Sequence, residues 1–228
     1  MAAPNGISIN LGTKGTGASG TLQIIALMTV LSLAPSVVIM MTSFTRTIIV
    51  LSFVRNALGT QQIPPNQVMV GVALFLTMFV MTPTFGRIND QAVQPLINNR
   101  INEQTALRRA EAPLRDFMFN QMSSDSSEIA MFMDMAKEPK ATTRADVPTR
   151  VLIPAFVLSE LKKSFEIGFL VFIPFLIIDI VVASTVMSMG MVMLPPTVIS
   201  LPFKILLFVL VDGWTLVAES LVRGFNAG

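Results

Sequence analysis

Three ionisable side chains, Asp179, Lys204 and Asp212, stand inside otherwise apolar stretches of this chain. An uncompensated charge at membrane depth costs at least about 2.5 to 3.5 kcal/mol, so each needs an opposite charge, a water-filled space or a protein interior. Between the first two lies Met187-Ser188-Met189-Gly190-Met191-Val192-Met193-Leu194-Pro195-Pro196, where methionines alternate with other residues before two prolines stop any helix. Asp179 and Lys204 are nearly equidistant in sequence from Met191, so an antiparallel hairpin with its apex there brings them to similar depth. They are expected to pair, within one subunit or between neighbours. Such a pair fixes register, whereas a proton relay would need a chain of titratable groups, and the sequence has no His.

Methionine is unbranched and polarizable, and it re-packs around objects of different shape. A period of two scatters side chains around a helix but keeps them on one side of an extended loop, and Gly190, Pro195 and Pro196 argue for a loop. Met189, Met191 and Met193, with Met187 beside them, are then expected to project into one space. Repeated around an axis they would make a deformable apolar closure. The alternative use of the same residues is ordinary helix packing, where methionine fills irregular gaps.

Other chemistries find no support. Without Cys or His there are no usual zinc, copper or iron ligands, no disulfide and no histidine base. No nucleophile elbow or paired-carboxylate arrangement is present, and Gly12-Thr13-Lys14-Gly15-Thr16-Gly17 lacks the spacing of a phosphate loop. No catalytic residue, metal or cofactor is expected, and the chain does not read as an enzyme. The net charge of +2 is spread out, which gives no nucleic-acid footprint.

The elements that must position these residues are apolar helices. The chain is 52% hydrophobic and 13% charged, against roughly 25% charged in soluble domains, so it reads as an all-α polytopic membrane protein. It has 16 Phe, one Trp and no Tyr, so the aromatic belts that mark membrane interfaces are missing and much of its apolar surface is expected to face protein.

Residues 1–20 read as a flexible leader, with a signal-peptide site at Ser32-Leu33-Ala34 as a weaker alternative because Pro35 follows the cut. Residues 21–85 form N-terminal hydrophobic helices. From Thr21 to Val54 the only charge is Arg46, and as one helix the run would be about 50 Å long against a hydrocarbon core of roughly 30 Å, so a break is expected at Pro35. Arg46 and Arg55 mark a cytoplasmic end, which places both termini and the 86–150 region outside. After a turn at residues 61–66, a helix is expected from about Gln67 to Pro83.

Residues 86–150 form a small, soluble helical insertion with an apolar stripe of Leu107, Leu114, Phe117 and Met118. Asp125 with Glu128 reads as a capping box for a helix through Ala136, and Pro148 opens the next helix. Residues 151–228 are the C-terminal hairpin. Its first arm is amphipathic around Glu160 and is kinked at Pro174, and its second carries Pro202 near its start and Trp214 near its end. Arg46, Glu160 and Asp212 are the further charges expected at interfaces or membrane depth.

Met41-Thr42-Ser43-Phe44-Thr45-Arg46, Phe172-Ile173-Pro174-Phe175-Leu176-Ile177-Ile178-Asp179, the methionine turn and the run Ile199 to Trp214 closely resemble the FliP family of flagellar membrane proteins. Its virulence-system counterpart is called SctR. The resemblance implies kinked helical hairpins, five copies assembling with FliQ and FliR proteins into a ring-like or helical complex, and contact with other export-apparatus proteins and membrane lipids. It implies a type III secretion export gate in the bacterial cytoplasmic membrane, at the flagellar basal body, with much of the chain on the outer side and unfolded flagellar proteins as cargo. The methionine turn resembles the family's gasket, although Val192 interrupts the run of methionines common there. An ion-coupled small-solute transporter and a membrane scaffold without a pore are the alternatives. A transporter would be expected to show internal repeats, and the two halves of the sequence show no such symmetry.

Overall fold

The computed structural model describes residues 36–60, 62–122, 127–191 and 195–226, with positions 25, 28, 29 and 32 ahead of them. The chain divides into two compact units, 1–38 and 39–228. In the first, the hydroxyls of Thr29 and Ser32 donate to the carbonyls of Ile25 and Thr29, at 2.8 and 2.9 Å. Pro35, the expected kink, lies outside the described residues.

The second unit begins with a break in the long apolar run, at Met41–Ser43, ahead of helix α1, Phe44–Ala57. Thr42 supports the turn: its hydroxyl donates to the Ile39 carbonyl at 2.7 Å and accepts the Phe44 N–H at 3.3 Å. Short hydroxyl side chains compete with helical hydrogen bonds in this way, so the break falls at the Thr-Ser pair as well as at any proline before it. Helix α1 then buries Arg46, Thr47, Val50, Leu51, Val54 and Ala57, one continuous helical face.

Helix α2 runs from Asn66 to Ile97 and does not stop at Pro83. Pro83 removes one backbone donor, but the flanking turns bury Val80, Met81 and Thr84 on one face. Burial of a large apolar side chain is worth about 1.5 to 3 kcal/mol, enough in sum to offset the roughly 3 kcal/mol of an internal proline. The helix widens into a π-type turn at Asn89–Val93 before it ends.

Helix α3, Glu103–Gln121, is capped by Asn102, whose side chain accepts the Thr105 N–H at 2.9 Å. Its buried face comprises Ala106, Pro113, Phe117, Met118, Phe119 and Gln121. Leu107, expected at the head of that stripe, is 73% exposed. It sits one position off the line that Ala106, Pro113 and Phe117 draw down the helix, so the core meets its neighbour instead. Helix α4 spans Ser127–Met135; Asp125, its expected cap, lies outside the described residues. A 3₁₀ turn at Arg144–Asp146 follows, closed by reciprocal Thr143 and Asp146 bonds.

Helix α5, Thr149–Ser188, is a single 40-residue helix directly after Pro148, and neither Pro154 nor Pro174 interrupts it. Helix α6 covers Pro196–Leu210, with Pro202 inside it, and α7 covers Gly213–Asn226; the two are bent by 62°. The described residues contain helices and no strand. By length and composition α2 and α5 can cross a membrane, and the bent α6 and α7 together make a third candidate span.

Packing is uneven along α5. Its N-terminal half enters the largest core cluster, where Leu152 and Phe156 meet Met41, Met81, Phe117, Met118 and Phe225. A second cluster joins Val50, Leu51, Met69, Ala73 and Leu221, and a third ends at Phe175 and Phe208. Beyond that level α5 and α6 continue as a hairpin, with Ile177, Ile180, Val181 and Leu206 each more than half exposed.

Candidate functional site

The apex of this hairpin carries the methionines. Helix α5 continues to Ser188, so Met187 lies on its last turn and Met189 caps it, which corrects the expectation that Met189 stands on an extended loop. The helix closes by a Schellman arrangement. The Met191 N–H donates to the Val186 carbonyl at 3.2 Å and the Gly190 N–H to the Met187 carbonyl at 3.0 Å. Gly190 supplies the left-handed residue this closure needs, at φ 73°, and a Cβ there would meet no other part of the fold within 4 Å. Met187 is 65% exposed, Met189 68% and Met191 39%, so the apex presents a loose apolar surface that its own chain leaves uncovered. Met193 lies outside the described residues, while Pro195 and Pro196 start α6.

Below the apex the structure brings Asp179 and Lys204 together. The Lys204 ammonium donates to Asp179 Oδ2 at 2.6 Å, and the Ser200 hydroxyl, fully buried, lies 2.6 Å from Oδ1. Ser200 and Lys204 are one helical turn apart on α6, so both reach the same carboxylate. Ser200 was not singled out from the sequence, although its spacing from Lys204 was the available signal. Lys204 is buried and Asp179 partly open, with side-chain exposures of 6% and 27%.

Asp212 is not brought to this pair. It is exposed at the α6–α7 corner with φ 49°, a left-handed conformation that Asp tolerates better than most residues. Next to it, a Cβ on Gly213 would stand 2.3 Å from the Phe208 ring, so only glycine fits there. Trp214 meets the same ring edge to face at 5.1 Å.

Arg46 and Glu160, far apart in sequence, form a second buried pair. Arg46 Nε donates to Glu160 Oε2 at 2.8 Å and Nη2 to Oε1 at 2.5 Å, the two-pronged geometry that guanidinium and carboxylate share. Nη2 also reaches Gln121 Oε1 at 3.2 Å and Nη1 the Gly224 carbonyl at 3.4 Å, and the guanidinium carbon lies 3.9 Å from the centre of the Phe225 ring. Gln121 Nε2 donates to the Phe225 carbonyl at 2.9 Å, and the Lys163 ammonium donates to the Gln121 carbonyl. The sequence marked Arg46 as a topological signal and gave no hint of Gln121 or Lys163 as its neighbours. Their contacts span 42 to 178 residues of sequence, beyond the reach of any local pattern.

The arrangement holds buried charge in fixed places and leaves a soft apex exposed. A profile of the FliP family matches residues 27–221. The chain belongs to the FliP family. It is 55% identical over 207 residues to flagellar biosynthetic protein FliP of Bacillus subtilis strain 168, covering 91% of this chain and 93% of that one. Against the protein of the same name from Caulobacter vibrioides the identity is 53% over 226 residues, 99% of this chain and 84% of the relative. The Treponema pallidum FliP is 53% identical over 205 residues, 90% and 76% of the two chains. FliP membership implies a role in flagellar export, and together with helices able to span a bilayer it fits a membrane-embedded flagellar protein.

Proposed function

We propose that this FliP-family chain is a pore-forming subunit of the flagellar type III export gate, through which unfolded flagellar proteins cross the bacterial cytoplasmic membrane. Several copies, five by family resemblance, surround an axis with FliQ- and FliR-type proteins, and the methionine turns meet there as a gasket. Much of the assembly, the 86–150 region included, stands on the outer side of the membrane. The observation that carries this reading is the apex itself: Met187, Met189 and Met191 are exposed at the tip of a hairpin whose flanks are also apolar and uncovered. Such a surface needs neighbours of its own kind, and methionine suits a seal that must yield to chains of any sequence.

The hairpin is built to hold that apex in place. The Asp179–Lys204 pair with Ser200 locks α5 and α6 in register below the methionines, so neighbouring copies would present their turns at one height. Replacing Met187, Met189, Met191 and Met193 with Gly in the assembled complex should raise ion leakage across the membrane while flagellar proteins are still exported. A complex that assembles and stays ion-tight with all four replaced would overturn the gasket.

A further inference from the structure

We infer that the Arg46–Gln121–Glu160 cluster is a latch that holds the C-terminal helix α7 onto the fold. This inference stands independently of the methionine seal. Two helices end at the cluster: α3 at Gln121, whose carbonyl accepts from Lys163, and α7, whose last-turn carbonyls of Gly224 and Phe225 accept from Arg46 and Gln121. Helix C-termini expose carbonyls without partners inside the helix, and each carries about half a negative charge. The two termini and the Glu160 carboxylate therefore bring about −2 to the site, and Arg46 and Lys163 bring about +2. Docking of α7 therefore adds negative potential beside the Arg46 guanidinium.

The contacts divide the labour. Gln121 is the bridge, because its amide accepts from Arg46 with Oε1 and donates to α7 with Nε2. Arg46 adds the charge and a cation–π contact over Phe225. No other polar side chain among the described residues donates to a backbone carbonyl of α7. Elsewhere the helix is held by apolar contact, through Leu221 in one cluster and Phe225 in another. At its start α7 meets α6 across the Asp212–Gly213 corner, so the latch ties down the end of α7 far from that bend.

The chain has no cysteine, so a single introduced thiol reports without background. Leu221→Cys places the thiol under α7, where Leu221 is 3% exposed, and Val186→Cys places a control in the hairpin, where Val186 is 6% exposed. Both are labelled with a charged maleimide in the full chain, extracted with its membrane partners in mild detergent. Adding Arg46→Ala should accelerate labelling at position 221 by about tenfold or more, because Glu160 loses its counter-charge and α7 one of its two side-chain donors, and should leave position 186 unchanged. If the Arg46→Ala chain does not accumulate, Gln121→Ala removes the bridge alone and should give the same selective rise at smaller size. Equal labelling at 221 with and without the change, or a rise of the same size at both positions, would overturn the latch.

Discussion

The two buried ion pairs of this chain sit in opposite surroundings. Arg46 and Glu160 are 3% and 0% exposed and touch α1, α3, α5 and α7, within one hydrogen-bonded cluster and beside the largest apolar core. Asp179 and Lys204 connect only α5 and α6, on a hairpin whose outer faces are uncovered. The difference separates a base that satisfies its own charges and apolar groups from a hairpin that leaves its apolar surface for others. The proposed seal would gain from this split, because the base is closed on itself while the hairpin, held in register by its own ion pair, keeps its apolar surface for contact.

Breaking the pair at the base should have the largest effect. Arg46→Ala leaves a buried carboxylate and two further acceptors, Gln121 Oε1 and the Gly224 carbonyl, without their donor and should cost about 3 to 5 kcal/mol, seen as a sharp fall in the denaturation midpoint of the extracted protein. Asp179→Ala strands the Lys204 ammonium in a half-open site and should cost less, about 2 to 3 kcal/mol. Lys204→Ala should behave alike, and changing both residues to leucine should recover much of the loss in assembly, as replacement of buried pairs by apolar groups often does. If the hairpin pair proved as costly as the base pair, or if the double change were additive, the contrast between the regions would fail.

Gly213→Ala drives a methyl into the Phe208 ring and should cost about 1 to 2 kcal/mol, partly returned by Phe208→Leu. A double variant worse than the sum of its parts would show that the corner is not set by this contact.

The smallest effect belongs to Asp146, whose carboxylate accepts from Thr142 and Thr143 and is thereby held below the usual carboxylate range. A depressed native value stabilises the fold above the unfolded pKa, and the gain disappears as pH falls through the lower native value. Asp146→Asn should therefore lower stability slightly at neutral pH and flatten its fall below about pH 4, in a comparison of midpoints across acid pH.

The helical class and the hairpin were legible because they rest on local signals: long apolar runs, prolines at element starts, and a glycine between methionines. The level of Asp179 with Lys204 followed from simple counting along two antiparallel helices. What stayed hidden depends on contacts across the sequence. Nothing near Gln121 announces that its amide bridges Arg46 to the last turn of α7, and nothing near Leu107 says that the core meets Ala106 instead. Pro83 looked like an end because its cost is local while the burial that offsets it is not. The corner at Asp212 was masked by an apolar run that continues on both sides, although Asp-Gly is itself a turn signal.

The proposed convergence of several copies at the hairpin tip can be tested there. In this cysteine-free chain, Met189→Cys puts one thiol on the exposed apex and Leu107→Cys puts one on the exposed side of α3. With the complex assembled in membranes, a short bifunctional maleimide should join chains to one another through position 189 and not through position 107. Cross-linked pairs absent at 189, or equally abundant at both positions, would contradict the convergence of the methionine turns.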